Sequence, residues 1–302
     1  MSQQLVARLQ VLAAALLFST GGPVIKASAL TPWQIACGRS AVAAAVVLAL
    51  TPAARRALDR RAFLVGIAFA ATMVLYVLAN RSTTTSNAIF LQDSAPLYVM
   101  LLAPWLLGER TRIVDALLMA VLAGGLAMIL VAGDQASATA PHPARGNLLG
   151  AIAGVTWAFA VLGLRWLGRR GDPGSGAGAV AAGNLLAAAI ALPFALPLVS
   201  VSLRDLVILG YLGAGQIALA YVFLNAGLRH MSALGASLLL LLEPVASAAL
   251  GALVHGEHPG RWSLAGAGLI LAATVVKLLA DLHGRPAEIG TETLHATHRP
   301  PA

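Results

Sequence analysis

The chain has 302 residues, of which 59% are hydrophobic and only 11% charged, and its mean hydropathy is +0.82. Soluble domains average about 25% charged residues, so this composition excludes an ordinary water-soluble globule and points to a membrane protein. The net charge of +8 is no nucleic-acid signal, because the Lys and Arg sit in short segments between apolar runs, where they set membrane orientation.

The apolar runs are near 20 residues, long enough at 1.5 Å per residue to cross a hydrocarbon core of roughly 30 Å. The alternating ten-residue segments of a β-barrel are absent from the sequence. The expected fold class is therefore an all-α polytopic membrane protein with about ten transmembrane helices. Span one covers 6–25, ends in Gly21-Gly22-Pro23, and is expected to be retained because it has no small-residue cleavage site. Spans two and three cover 32–50 and 62–80, separated by Arg55, Arg56, Arg60 and Arg61. Span four is SNAIFLQDSAPLYVMLLAPWLLGE (86–109), and span five covers 113–131. The segment GDQASATAPHPARG then interrupts the apolar pattern with small residues and Pro, a natural boundary between halves. Spans six to ten follow at 147–167, 179–199, 206–224, 232–254 and 262–280, and the polar remainder from 281 is expected to be disordered.

A shift of 148 positions lays Arg81 on Arg229, Ala88 on Ala236, Leu91 on Leu239, Pro96 on Pro244, Leu102 on Leu250, Gly108 on Gly256 and Glu109 on Glu257. Spans four and nine are thus copies, each with a proline near mid-depth and a nearby carboxylate, Asp93 or Glu243. The chain divides into a first repeat (1–134), a linker (135–146), a second repeat (147–280) and a tail (281–302). With the N-terminus in the cytoplasm, 14 of the 20 Lys and Arg fall on cytoplasmic segments and five outside, leaving Arg39 within a span. That bias puts both termini in the cytoplasm. Five spans per half is an odd number, so the second repeat is inverted, an architecture shared by many secondary transporters.

The residues resemble a known family. APLYVMLLAPWLLGER and EPVASAALGALVHGEH at the ends of the halves are similar to the EamA family of the drug/metabolite transporter superfamily. So are LLFSTGGPVIK and TPWQIACGRS near the start, and VTWAFAVLGLRW in span six. The resemblance covers about 6–280. It implies a cell (inner) membrane exporter of small metabolites, amino acids or related compounds and drugs among them, with a central cavity lined mainly by spans 1, 3, 4, 6, 8 and 9.

A mid-membrane carboxylate costs about 2.5–3.5 kcal/mol on insertion scales unless it meets a partner or a watery cavity. Asp93 and Glu243 are therefore candidates to bind a cationic group or exchange a proton; the competing reading is a neutral, hydrogen-bonded structural role. Proline at 96 and 244 frees the carbonyls of Gln92 and Leu240. Arg39 suits a substrate carboxylate, but its span lies outside the implied cavity set, which favours a structural role. Lys26, beside the Gly-Gly-Pro break, reads as a snorkelling boundary residue, with guarding the cavity mouth as the alternative. Tyr76, Trp157 and Tyr221 suit a cavity wall, packing or the interface, and Gln92, Asn80, Asn87, Gln216 and Asn225 suit either helix–helix glue or substrate contact. Glu109 and Glu257 read as structural, paired with a neighbouring Arg or capping a helix.

His255 and His258 in HGEH do not match HExxH and have no third ligand in view, and Cys37 is the single cysteine, so no metal is expected. No GxxxxGK[ST] loop is present, so no nucleotide cofactor is expected. The expected partners are a small-molecule substrate and the lipid bilayer, with proton coupling or uncoupled diffusion both allowed and the oligomeric state left open. A membrane enzyme acting on a lipid-linked substrate is the rival reading, but it lacks a nucleophile–base set. A purely structural or receptor-like protein leaves the paired mid-depth acids unexplained.

Overall fold

The computed structural model describes residues 3–107, 113–168, 174–197, 201–228, 230 and 239–283. Arg229, Ala236, Glu109, Arg110, Arg112, Arg169, Arg170, Arg285 and Arg299 lie outside these. All regular elements among the described residues are helical, apart from a Ser137–Ala140 bridge.

The first crossing is two helices, α1 (Gln3–Ser19) and α2 (Gly21–Ala27). They part at Thr20 because Pro23, lacking an N–H, cannot bond back to Ser19. The Thr20 hydroxyl instead donates to Leu17 O at 2.7 Å. Next come α3 (Pro32–Leu50), the short α4 (Pro52–Arg56) and α5 (Arg60–Asn80). α3 opens on a capping box between Thr31 and Gln34, and α5 on Asp59, whose carboxylate accepts from the N–H groups of Arg61 and Ala62.

Span four is broken. α6 (Thr85–Gln92) stops at Asp93-Ser94, and α7 (Ala95–Leu107) resumes beyond. α8 (Ile113–Leu130) closes the first half, and α9 (Pro143–Gly168) starts four residues earlier than the expected 147. α10 (Ser175–Ala195) follows. Span eight is α11 (Leu203–Gly210), a π-helical stretch (Tyr211–Leu219) and α12 (Ala220–Leu228). The described part of span nine holds a turn at Leu241 and α13 (Leu242–His255), and span ten is α14 (Arg261–His283). The expected tail thus begins inside the last turn of α14, and from 284 on it lies outside the described residues. Gly256 ends α13 in the left-handed region (φ 61°), where glycine is free of a Cβ clash. This turn is the physical content of the Gly-Glu pair.

Among the described residues, six segments are long and apolar enough to span a bilayer: Gln3–Ala27, Pro32–Leu50, Arg60–Asn80, Pro143–Gly168, Ser175–Ala195 and Leu203–Leu224. Shorter apolar helices cover Ala116–Leu130, Leu242–His255 and Arg261–Val276. The other expected spans are broken, as span four is between α6 and α7, or are represented among the described residues by the shorter stretches.

The main helix contacts recur when the halves are exchanged. α5 of span three packs on α9 of span six, and α12 of span eight packs on α1 of span one. α6 meets α9 as α13 meets α1, and α10 lies on α5 as the π-helical stretch lies on α3. The self-paired contacts are α3 with α10, α6 with α13 and α8 with α14. Small residues let these helices touch. A Cβ on Gly125 would come within 2.8 Å of Gly266 O, and one on Gly266 within 2.5 Å of Gly125 O. Outward-facing Leu64, Ile67, Leu192 and Phe194 are exposed, an unfavourable surface in water and a suitable one in lipid.

Gly266→Val is expected to lower the unfolding free energy by about 1–3 kcal/mol through overpacking against backbone. Gly124→Ala, with nothing within 4 Å of the new methyl, should leave it unchanged or raise it. Thermal unfolding of both variants in detergent checks this.

Candidate functional site

A cavity of about 680 Å³ lies where the interrupted helices of the two halves face each other. Its first-half wall is built at the break in span four. The Asp93 N–H donates to Ile89 O at 2.8 Å, the Ser94 hydroxyl to Leu91 O at 2.6 Å, and the Leu97 N–H to Ser94 O at 2.9 Å. The loosened backbone is covered by α9, whose Gly154 comes so near that a Cβ there would meet Leu91 O at 2.6 Å. Broken helix at membrane depth is tolerated where protein or a cavity covers it.

Of the expected site residues, Asp93, Glu243, Gln92, Trp157, Tyr76, Tyr221 and Arg39 all line this cavity. Asp93 and Glu243 come from opposite halves and lie near enough for their charges to interact. Arg39 of span two, expected to lie outside the cavity set, reaches the cavity wall. It is 1% exposed, its Nη2 donates to Met73 O at 2.9 Å, and its guanidinium lies 5.9 Å from the Tyr76 ring centre. Neither Tyr221 nor Trp157 is an interfacial anchor: both pack edge-on or tilted against buried Phe69, with ring centres 6.2 and 6.0 Å away. Phe18 packs on the other side of Tyr221 at 5.3 Å.

Asn80 is not brought in. It is buried beside α2, where a Cβ on Gly22 would meet its Nδ2 at 2.8 Å, and it is absent from the cavity lining. Its place at the end of α5, a turn beyond Tyr76, carries it past the cavity. Conversely, Phe18, Phe90 and Arg165 line the cavity without having been singled out as site residues, and Gln216, read as helix glue or substrate contact, lines it as well. Gln216 had a visible signal, an amide within an apolar span. The two phenylalanines had none, since an apolar ring in an apolar helix marks no face.

The end of the bundle where α2 ends and α9 begins is closed by a buried ion pair that joins the two halves. Lys26 is not a snorkelling residue; its side chain is 4% exposed and forms an ion pair with the Oε1 of Glu257, 2% exposed. The same ammonium donates to Thr83 O at 2.6 Å and Thr139 O at 2.5 Å. Glu257 pairs with this lysine rather than an arginine, and its Oε2 accepts the Thr85 N–H at 2.7 Å, capping α6 of the other half. Around the pair, Asn87 donates to Asp134 at 2.8 Å and Ser263 to the same carboxylate at 2.7 Å. Asn147 accepts from Thr83 at 2.7 Å. His255 sits in the last turn of α13, its Nε2 2.8 Å from Pro23 O. The segment between the halves is thus an ordered part of the seal. At the opposite end the lining reaches exposed Arg165, near the end of α9.

An all-helical bundle with an apolar outer surface, two interlocked halves and a mid-depth polar cavity defines a multi-pass membrane protein of the transporter class. The EamA-like transporter family model matches residues 6–131 and again 144–279, so the chain belongs to that family, within the drug/metabolite transporter superfamily. No curated protein matches the chain. Fifteen chains of solved structure do. One, described only as "Crystal structure of protein", is 23% identical, covers 92% of this chain and 99% of its own, and superposes with a TM-score of 0.59. That likeness is one of fold.

Removing one partner of a buried ion pair costs about 3–5 kcal/mol, because the other is left uncompensated. Lys26→Met should destabilise the chain by that order. Adding Glu257→Gln, which still offers an acceptor to the Thr85 N–H, should recover part of the loss. A double-mutant cycle on thermal unfolding reads the coupling, and strict additivity would contradict the pairing.

Proposed function

We propose that this chain is a secondary transporter of the cell (inner) membrane that exports small metabolites carrying a cationic group, by alternating access around the mid-depth cavity. The observation that carries this reading is the meeting of Asp93 and Glu243, one from each half, in a single cavity of a bundle closed at one end. Carboxylates at this depth are costly unless they serve a cavity or partner. Aromatic walls from Tyr76, Trp157 and Tyr221 add faces that attract a cation. Gln92 and Arg39 complete the substrate contacts, and Asn80 acts outside them.

In this reading both termini are cytoplasmic, following the excess of Lys and Arg on that side. The sealed Lys26 end is then external, and the route past Arg165 is cytoplasmic, so the structure corresponds to an inward-open state. Export requires the Lys26–Glu257 seal to part as the opposite end closes. The repeats, 1–134 and 147–280 about the linker 135–146, are the bodies that rock. Protonation of Asp93 or Glu243 releases the bound cation, which couples transport to a proton gradient. Fluxes through such a device are reciprocal: what binds the carboxylates competes with the proton.

Proteoliposomes holding only this protein test the reading, with efflux and uptake followed for amino acids, amines, purine-like metabolites and cationic drugs, with and without a pH gradient. Wild type should move a subset of the cationic compounds, faster with an opposing proton gradient. Asp93→Asn should cut that flux about tenfold or more, the scale of losing a charged hydrogen-bond partner, and abolish the pH effect. Unchanged flux in the variant would remove Asp93 from the site while leaving the transporter class intact.

A further inference from the structure

Outside the central cavity, an open groove of about 750 Å³ runs along the outer face between α5 and α10. Phe63, Leu64, Ile67 and Leu186 line its apolar part, and the first three are exposed. At its polar end lie Asp59 and Arg60, where α4 turns into α5. This turn carries Arg55, Arg56, Arg60 and Arg61 against the one acid Asp59, so four arginines less one aspartate leave +3 over residues 55–61. Close packing holds the turn against α10: a Cβ on Gly178 would meet Ala57 O at 2.6 Å. Two of its charged groups are already committed. The Asp59 carboxylate accepts from the Arg61 and Ala62 N–H groups, and Arg55 donates to Leu48 O and Ala49 O at the end of α3. The guanidinium groups of Arg56, Arg60 and Arg61 are exposed and make no hydrogen bond or ion pair with any described residue.

We propose that this groove binds one anionic phospholipid. Arg56, Arg60 and Arg61 hold its phosphodiester, and an acyl chain lies along Phe63, Leu64, Ile67 and Leu186. Membrane orientation alone calls for the charges, and contact with lipid alone calls for the apolar side chains, but neither calls for a concavity where the two meet. Close approach of the two helices makes its floor, since a Cβ on Gly66 of α5 would meet Gly183 N of α10 at 2.9 Å. From Arg60 to Ile67 is about 10 Å along the helix, so the groove covers the outer part of one leaflet, roughly 15 Å thick. A guanidinium fork matches the oxygens of a phosphate, and basic pockets beside membrane helices recognise anionic head groups in this way. A zwitterionic phospholipid carries its own ammonium beside the phosphate, which offsets the attraction to the arginines. The groove lies apart from the central cavity, so the inference holds whatever the chain transports.

Native mass spectrometry of the purified full-length chain in detergent tests this, with phosphatidylglycerol and phosphatidylcholine of the same acyl chains as probes. Phosphatidylglycerol is expected to bind at least about tenfold more tightly, since each arginine near a membrane surface contributes about fivefold toward anionic lipid. Combining Arg56→Gln, Arg60→Gln and Arg61→Gln should abolish that preference. Combining Arg8→Gln, Arg145→Gln and Arg204→Gln removes the same charge from exposed positions elsewhere and should retain it. Ile67→Trp, which fills the apolar part without altering charge, should weaken phosphatidylglycerol severalfold. Glycerol phosphate, a head group without chains, should not displace the lipid at equal concentration. Equal binding of the two lipids by wild type, equal loss in the two arginine triples, or undiminished binding by Ile67→Trp overturns the inference. Displacement by glycerol phosphate also overturns it, because the site would then take a free phosphate rather than a lipid.

Discussion

The ion pair between Lys26 and Glu257 is the constraint that holds one end of the bundle together. A lysine has three N–H donors and no acceptor, and here all three are spent: on Glu257, on Thr83 O and on Thr139 O. The second glutamate oxygen caps α6 at the Thr85 N–H. One pair of opposite charges therefore ties α2, the start of span four, the segment between the halves and the turn after α13. The partners come from different halves, so the pair holds the repeats together at one end only. In an apolar medium such a closure is strong while complete and unstable once a partner is lost, which suits an element that must be either shut or open.

The cavity follows from the same scarcity of polar partners. Backbone groups in lipid have to be satisfied within the protein, so a helix breaks only where something covers it. Span four breaks at Asp93-Ser94 under the glycine face of α9, span one at Thr20 beside Tyr211, whose hydroxyl lies 2.8 Å from the Thr20 hydroxyl, and span eight widens into a π-helical stretch. Three irregularities at similar depth leave space that close-packed helices would have filled. Polar side chains of both halves gather there.

Exchange symmetry explains how two weakly similar half-sequences build one site. The main contacts of the helices in one half recur for their counterparts in the other, and span four faces span nine across the centre. The chemistry is not symmetric. Asp93 precedes its proline by three residues and Glu243 by one, and Arg39 and Gln216 have no matching polar residue 148 positions away. A symmetric frame thus encloses an asymmetric cavity.

Much of this was legible in the chain. Low charge and runs near 20 residues dictated helices in a bilayer, because only helices and closed barrels satisfy the backbone there and the ten-residue alternation of a barrel is missing. The repeated proline and Gly-Glu pair revealed two related halves, and mid-depth polar residues such as Asp93, Glu243 and Gln92 stood out because apolar surroundings make them expensive. What the sequence left open was rotation. These helices are apolar on nearly all sides, so periodicity does not say which face turns inward. Tertiary packing alone sent Arg39 into the cavity, kept Asn80 out of it and added Phe18 and Phe90 to its wall. It also drew Lys26 to Glu257, far along the chain. Hydropathy records how deep a residue can sit; the neighbour it meets there depends on how helices distant in sequence pack, which no local pattern encodes.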